Sequence, residues 1–190
     1  MKTVLIPARV QSVMSNIATL ITESGAVKRG KFKLSDDRIS DYYIDKYEFE
    51  TNPKVIREIA DTIATKLEDV EIDVIAGPAL GAVPLVTSVS LQTDIPAAFI
   101  RMSQKYSGTQ ARIEGTIEKG QRVAIIEDVT TTGGTILETA DVVTEVGGIP
   151  ERLIVVVDRN EGATEHIADH GYELEHLVQI GDNIEIDATE

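Results

Sequence analysis

The chain has 190 residues, 42% of them hydrophobic and 26% charged, which is enough for one well-formed core and too few for two large domains. Eighteen basic against 32 acidic residues leave a net charge of −14, which disfavours non-specific nucleic-acid binding because phosphate attraction needs a basic surface. Cysteine is absent, excluding a disulfide framework, a thiolate zinc site and a cysteine nucleophile.

No apolar run approaches the roughly 18 to 20 residues that cross a bilayer, and the first residues, "MKTVLIPARVQSVMSN", lack the long apolar stretch of a secretory signal. The expectation is one domain over 1–190, cytoplasmic, with neither membrane nor nucleic acid as partner. Nine lysines and carboxylates dispersed along the chain fit either a salt-rich cytoplasm, where screening weakens self-repulsion, or an ordinary acidic protein.

From the amino terminus, Val10, Val13, Met14, Ile17, Leu20 and Ile21 recur at helical spacing and predict a helix to about residue 24. "KFKLSDDRISDYYIDKY" reads as two short strands around a polar turn. In "ETNPKVIREIADTIATKLED", Thr51 or Asn52 can cap, Pro53 suits a first helical position, and Val55, Ile56, Ile59, Ile63 and Leu67 form one apolar stripe.

Residues 73–77, 97–101, 122–126 and 152–158 are continuous apolar runs, the pattern of strands buried on both faces of a parallel sheet. Helices are expected near 80–92 and 134–147, the second with Ile136, Leu137, Ala140, Val143 and Val146 on one side. Such alternation implies right-handed βαβ units and a doubly wound α/β sheet. Residues 102–120, polar and glycine-dotted, form an unusually long connection. Its ends suit an antiparallel hairpin with a mobile tip from Lys105 to Gln110.

The stretch "EDVTTTGG", 127–134, follows the apolar run ending at Ile126, and is expected as a turn from strand to helix. Ligands of open parallel sheets bind at the carboxyl ends of the strands. A helix starting near Gly134 would point the amides of Thr131 to Thr135 outward, where free N–H donors and the helix dipole hold a phosphate. Glu127 and Asp128, just upstream, could accept from vicinal sugar hydroxyls and offset a developing sugar cation. One phosphate and one polyol describe a sugar phosphate. Neither GxxxxGK[ST] nor GxGxxG fits these residues.

"IIEDVTTTGGTILE" resembles the phosphoribosyl pyrophosphate signature of type I phosphoribosyltransferases, most closely of the orotate phosphoribosyltransferases. Other segments are similar in the same order. "KFKLSDDRISDYYIDKYEFETNP" resembles the family's orotate-side segment, "AGPALGAVPL" its pyrophosphate loop, "RMSQKYSGTQARIEG" its catalytic loop, and "VVVDRNEG" the late strand carrying an orotate-binding arginine. The resemblance covers roughly 25–165.

It implies a central parallel sheet flanked by helices, with an amino-terminal hood (1–50), a core (51–180) and a mobile loop (102–116). Thr130, Thr131, Thr132, Gly133, Gly134 and Thr135 would hold the 5′-phosphate, and Glu127 and Asp128 the ribose hydroxyls. Lys105 would close over the pyrophosphate, with Arg101, Ala79, Leu80 and Gly81 on the same group. Arg159 would bind orotate; Tyr42 and Tyr43 could line its pocket, although sheet packing accounts for at least one of them. The resemblance further implies a homodimer sharing the loop, and Mg²⁺ held mainly by substrate oxygens near Glu127 and Asp128.

Departures from the family pattern make the site less basic. Met102 and Ser107 stand where a lysine and a histidine are frequent, Asp36 and Asp41 replace a glycine and a proline, and Gly81 replaces the lysine of some members. Two other readings share the signature: a non-catalytic regulator on the same fold, and a purine phosphoribosyltransferase, which would not need Arg159. His166 and His170 have i, i+4 spacing for a metal, but without a third ligand they read as a solvated helix. His176 reads as an outward strand position, and the acidic tail "GDNIEIDATE" as a fraying end.

Overall fold

A computed structural model of the chain describes residues 8–33, 38–102 and 112–186. After α1 (Ala8–Glu23), the strands β1 (Val27–Lys33) and β2 (Ile39–Ile44) pair antiparallel as a separate hairpin. The short helix α2 (Lys46–Glu50) and α3 (Pro53–Leu67) follow. In α3, Asn52 accepts from the Lys54 amide, satisfying one of the free N–H groups of the first turn, and Pro53 costs nothing where no amide bond is needed. Val55, Ile59, Ile63 and Leu67 of the expected stripe are buried, and Ile56 is partly so.

The main sheet has the order β5-β4-β3-β6-β7-β8. Strands β3 (Val74–Ala79), β4 (Ala97–Arg101), β6 (Arg122–Thr130), β7 (Ile149–Asp158) and β8 (Leu174–Gln179) run parallel. Only β5 (Ile113–Glu114), which returns beside Phe99 and Ile100, is antiparallel. That pairing is the hairpin expected for the ends of the long connection, while its tip, Lys105 included, lies outside the described residues. Asp36 and Ser107 also lie outside them.

Helices cover both faces, and the alternation of β6 divides its side chains between them. Ala124 and Ile126 face a core shared with α1, α3 and α4 (Val83–Thr93). Val123 and Ile125 face the core beneath α5 (Gly134–Glu145) and α6 (Ala163–Asp169). This two-residue period decides which way the two acids further along the strand point.

Three expectations change. The strand does not stop at Ile126: Glu127, Val129 and Thr130 continue the ladder opposite Val155, Val157 and Asp158. A buried strand end tolerates acids here because neighbouring groups supply partners. His176 is half-buried on β8 rather than turned fully outward, and burial, the largest effect, lowers its pKa. The tail is anchored as far as Ile184, which bridges Ile180 and is 5% exposed.

Candidate active site

Because the strands are parallel, the turns after β3, β4, β6 and β7 gather at one end of the sheet. A cavity of about 610 Å³ opens there, lined by Glu127 to Thr135, by Arg159, and by Lys33, Arg38, Tyr43, Ile44 and Lys46 from the hairpin and α2.

The loop from β6 to α5 is held by its own atoms. Gly133 is the N-cap of α5 at φ 79, a left-handed conformation that glycine adopts cheaply. A Cβ there would press on Ile167 of α6. Its amide donates to Thr130 Oγ1 at 3.1 Å, and Thr130 and Thr135 both act to lower the Glu127 pKa against its burial. Thr132, Gly134 and Thr135 are left open to the cavity, so unpaired amides of the first turn face it.

The two acids point to opposite sides of β6. Glu127 is 4% exposed, and its Oε2 has no hydrogen-bond partner. Burial and, next, the charge of Asp128 push its carboxyl up to about 8. Asp128 is 6% exposed. Its Oδ1 accepts from the Val129 amide at 2.6 Å and its Oδ2 from Lys46 Nζ at 2.6 Å. Burial works to lower the Lys46 pKa, but the attraction and hydrogen bond of Asp128 outweigh it, so the ammonium stays charged. Beside this pair, Glu50 of α2 is buried with both oxygens unpartnered, and its carboxyl is also pushed up to about 8, first by burial and then by Asp128.

At the other end of the cavity, Arg159 is 6% exposed and fixed on three sides. Its Nε donates to Glu161 at 2.8 Å, its Nη2 to Ser40 Oγ at 3.2 Å, and its guanidinium lies 4.3 Å from the centre of the Tyr42 ring. Glu161 also accepts from Arg38 at 2.6 Å. Burial acts to raise the Glu161 carboxyl, yet the bonds from Arg159 and Arg38 hold it below the usual range. The planar fork of Arg159 is thus oriented before any ligand arrives. Tyr43, 44% exposed, lines the cavity, and Tyr42 serves as the stacking platform.

Thus the cavity brings together Glu127, Asp128, Thr130 to Thr135, Tyr43 and Arg159. Arg101 does not line it: its Nη1 lies 3.5 Å from Glu114 and its Nε is buried without a partner. Ala79, Leu80 and Gly81 form the turn after β3, with a cis peptide between Ala79 and Leu80 and Leu80 74% exposed. They too are absent from the cavity lining, although Gly81 abuts the Lys46–Asp128 pair.

Sequence reasoning missed Lys46, Glu50, Ser40 and Glu161, and read His166 only as part of a solvated helix, where the structure does expose it. His166 on α6 bonds through Nδ1 to the Thr132 carbonyl at 2.6 Å, bracing the loop from β6 to α5 from outside, and His170 Nδ1 meets the His166 carbonyl at 2.8 Å. Both Nδ1 atoms are therefore engaged with backbone carbonyls. Only the acidity of "DKYEFE" hinted at α2, and nothing in the spacing linked Lys46 to Asp128.

Glu127 Oε2 and Asp128 are hard oxygen donors, and the buried unpartnered oxygen fits a divalent cation such as Mg²⁺. Most of its ligands would have to come from a bound substrate.

A phosphoribosyl transferase domain model matches residues 46–184. The chain is 45% identical over 172 residues to the orotate phosphoribosyltransferase of Methanothermobacter thermautotrophicus, covering 90% of this chain and 94% of that one. To the orotate phosphoribosyltransferase of Natronomonas pharaonis it is 44% identical over 162 residues, 85% of this chain and 92% of that one. Among solved structures, the orotate phosphoribosyltransferase of Mycobacterium tuberculosis superposes with a TM-score of 0.77 at 31% identity, covering 90% of this chain and 98% of that one.

Proposed function

This chain belongs to the phosphoribosyl transferase domain family, and we propose that it transfers the 5-phosphoribosyl group of phosphoribosyl pyrophosphate to orotate, giving orotidine 5′-monophosphate and pyrophosphate in pyrimidine biosynthesis. One observation carries the reading: an open helix start, two buried acidic side chains and a pre-oriented arginine share one cavity. A purine base would leave Arg159 without a carboxylate to bind.

In the reaction the bond from C1′ to the diphosphate oxygen breaks, the bond from C1′ to orotate N1 forms, and the N1 proton passes to the departing diphosphate. Positive charge builds on the sugar. The amides of Thr131 to Thr135 and the hydroxyls beside them fix the 5′-phosphate. Glu127 and Asp128 meet the ribose hydroxyls; Asp128 offsets the charge that builds on the sugar, and Glu127, whose carboxyl is pushed up to about 8, does so only where it is ionised. Arg159 receives the orotate carboxylate as a planar fork, with Tyr43 beside the ring.

Lys105 closes over the departing diphosphate with Arg101 and the turn of Ala79, Leu80 and Gly81 nearby, and the closed loop excludes water that would hydrolyse the activated sugar. When bound, Mg²⁺ neutralises diphosphate charge, with Glu127 and Asp128 the residues that would adjoin it. The enzyme works as a cytoplasmic homodimer that shares the loop between subunits.

The test is the fall in orotate absorbance on adding phosphoribosyl pyrophosphate and Mg²⁺, in low and in molar salt, with adenine, hypoxanthine and uracil in parallel. Orotate consumption is expected. Tight phosphoribosyl pyrophosphate binding with no base consumed would instead identify a sensor on this fold. Activity maintained in molar salt would support the salt-adapted reading of the −14 charge.

A further inference from the structure

Lys46 opens α2 and reaches Asp128 across 82 residues of chain. Its side chain is 27% exposed and that of Asp128 8%. A pair this desolvated is a weak stabilising device, because removing two charges from water costs about as much as their attraction returns. The fold nevertheless makes specific room for it. Gly81 has no left-handed φ to explain it, yet a Cβ at that position would collide with both Lys46 Nζ and Asp128 Oδ2. The glycine is required by the ammonium beside it.

The position of that ammonium in the sheet order is informative. The 5′-phosphate belongs over the end of β6 and the base toward Arg159 at the end of β7. The end of β3, on the other side of β6, is left for the diphosphate, and Lys46 lies between Asp128 and the turn after β3. The remaining described cations of the cavity are less well placed: Arg38 and Arg159 are engaged by Glu161, and Lys33 sits on the hairpin.

We propose that Lys46 is a substrate-binding residue that guards Asp128 in the free protein and, when phosphoribosyl pyrophosphate enters, moves from Asp128 Oδ2 to the diphosphate oxygens through the space left by Gly81. Asp128 is thereby freed for the ribose hydroxyls as the leaving group gains a cation. The inference rests on the proposed substrate, and it adds a counter-ion exchange that the acids alone would not require.

The test is calorimetric binding of three probes, each with Mg²⁺: pyrophosphate, phosphoribosyl pyrophosphate and ribose 5-phosphate. Lys46→Met keeps the apolar stem and removes the charge. It should weaken pyrophosphate and phosphoribosyl pyrophosphate roughly 10- to 100-fold, the effect of one charge-assisted bond, while ribose 5-phosphate changes less than about threefold. Lys46→Gln, uncharged but polar, should show the same selective loss. It also serves if Lys46→Met does not fold. An equal loss for ribose 5-phosphate would mean that Lys46 only props Asp128, and unchanged binding of all three would place it outside the site. Either result overturns the inference. Wild-type protein that binds pyrophosphate but never consumes orotate would defeat the proposed reaction and leave the Lys46 contact standing.

Discussion

Replacing Glu50 by glutamine should flatten the decline in stability of this chain between about pH 5 and pH 8. The Glu50 carboxyl is pushed up to about 8 from 4.5, and neither of its oxygens has a hydrogen-bond partner. Between those values the folded chain keeps a proton that the unfolded chain releases. The stability this contributes is therefore full below about pH 4.5 and lost as pH rises through about 8. Each unit of separation is about 1.4 kcal/mol, which sets a ceiling of about 5 kcal/mol. The opposing attraction of Lys46 is already contained in that shift.

The measurement is the guanidinium midpoint by far-UV circular dichroism at fixed ionic strength across that range, for both proteins. Glutamine has the same shape, so any constant offset cancels in the pH slope. Glu127, raised in the same direction, leaves a residual slope in the variant. Parallel curves for the two proteins would refute the reasoning, because Glu50 would then titrate alike folded and unfolded.

Two substitutions address the proposed reaction. Lys105→Ala should lower kcat by roughly two orders of magnitude, as expected for loss of a group that meets developing charge, while phosphoribosyl pyrophosphate affinity, read by calorimetry, changes far less. Equal losses in both would contradict a closing role. Arg159→Ala should raise the KM for orotate roughly 100-fold by removing a pre-oriented fork, with the KM for phosphoribosyl pyrophosphate little altered. Unchanged orotate kinetics would remove Arg159 from the base site.

How much of this was legible in the chain depended on the range of the interactions. Strands β3, β4, β6 and β7 announced themselves because burial on both faces demands unbroken apolar runs. Helix α3 was equally plain, since its stripe and its Asn52–Pro53 start agree. Glu127 to Thr135 stood out because acids, hydroxyls and glycines at a strand end serve no packing purpose. The end of β6 was misplaced because acids in a buried strand look like a stop, and a partner as distant in sequence as Lys46 is what makes Asp128 tolerable there. Helix α2, five residues long, is too short to show a period. Its ion pair spans 82 residues, a distance over which local spacing says nothing. Gly81 read as a missing lysine, whereas its significance lies in the side chain it leaves room for.

Glu161 serves two arginines, one on the hairpin and one at the far end of the cavity. A shared acceptor makes those two parts of the molecule thermodynamically linked. If Arg159 binds the base, whatever orders the hairpin improves that binding, and the bound base must order the hairpin by the same factor. Arg38→Ala, distant in sequence from Arg159, should therefore weaken orotate binding and reduce the protection from amide exchange that orotate confers on β1 and β2. Unaltered protection would show the two arginines to be independent tenants of one carboxylate.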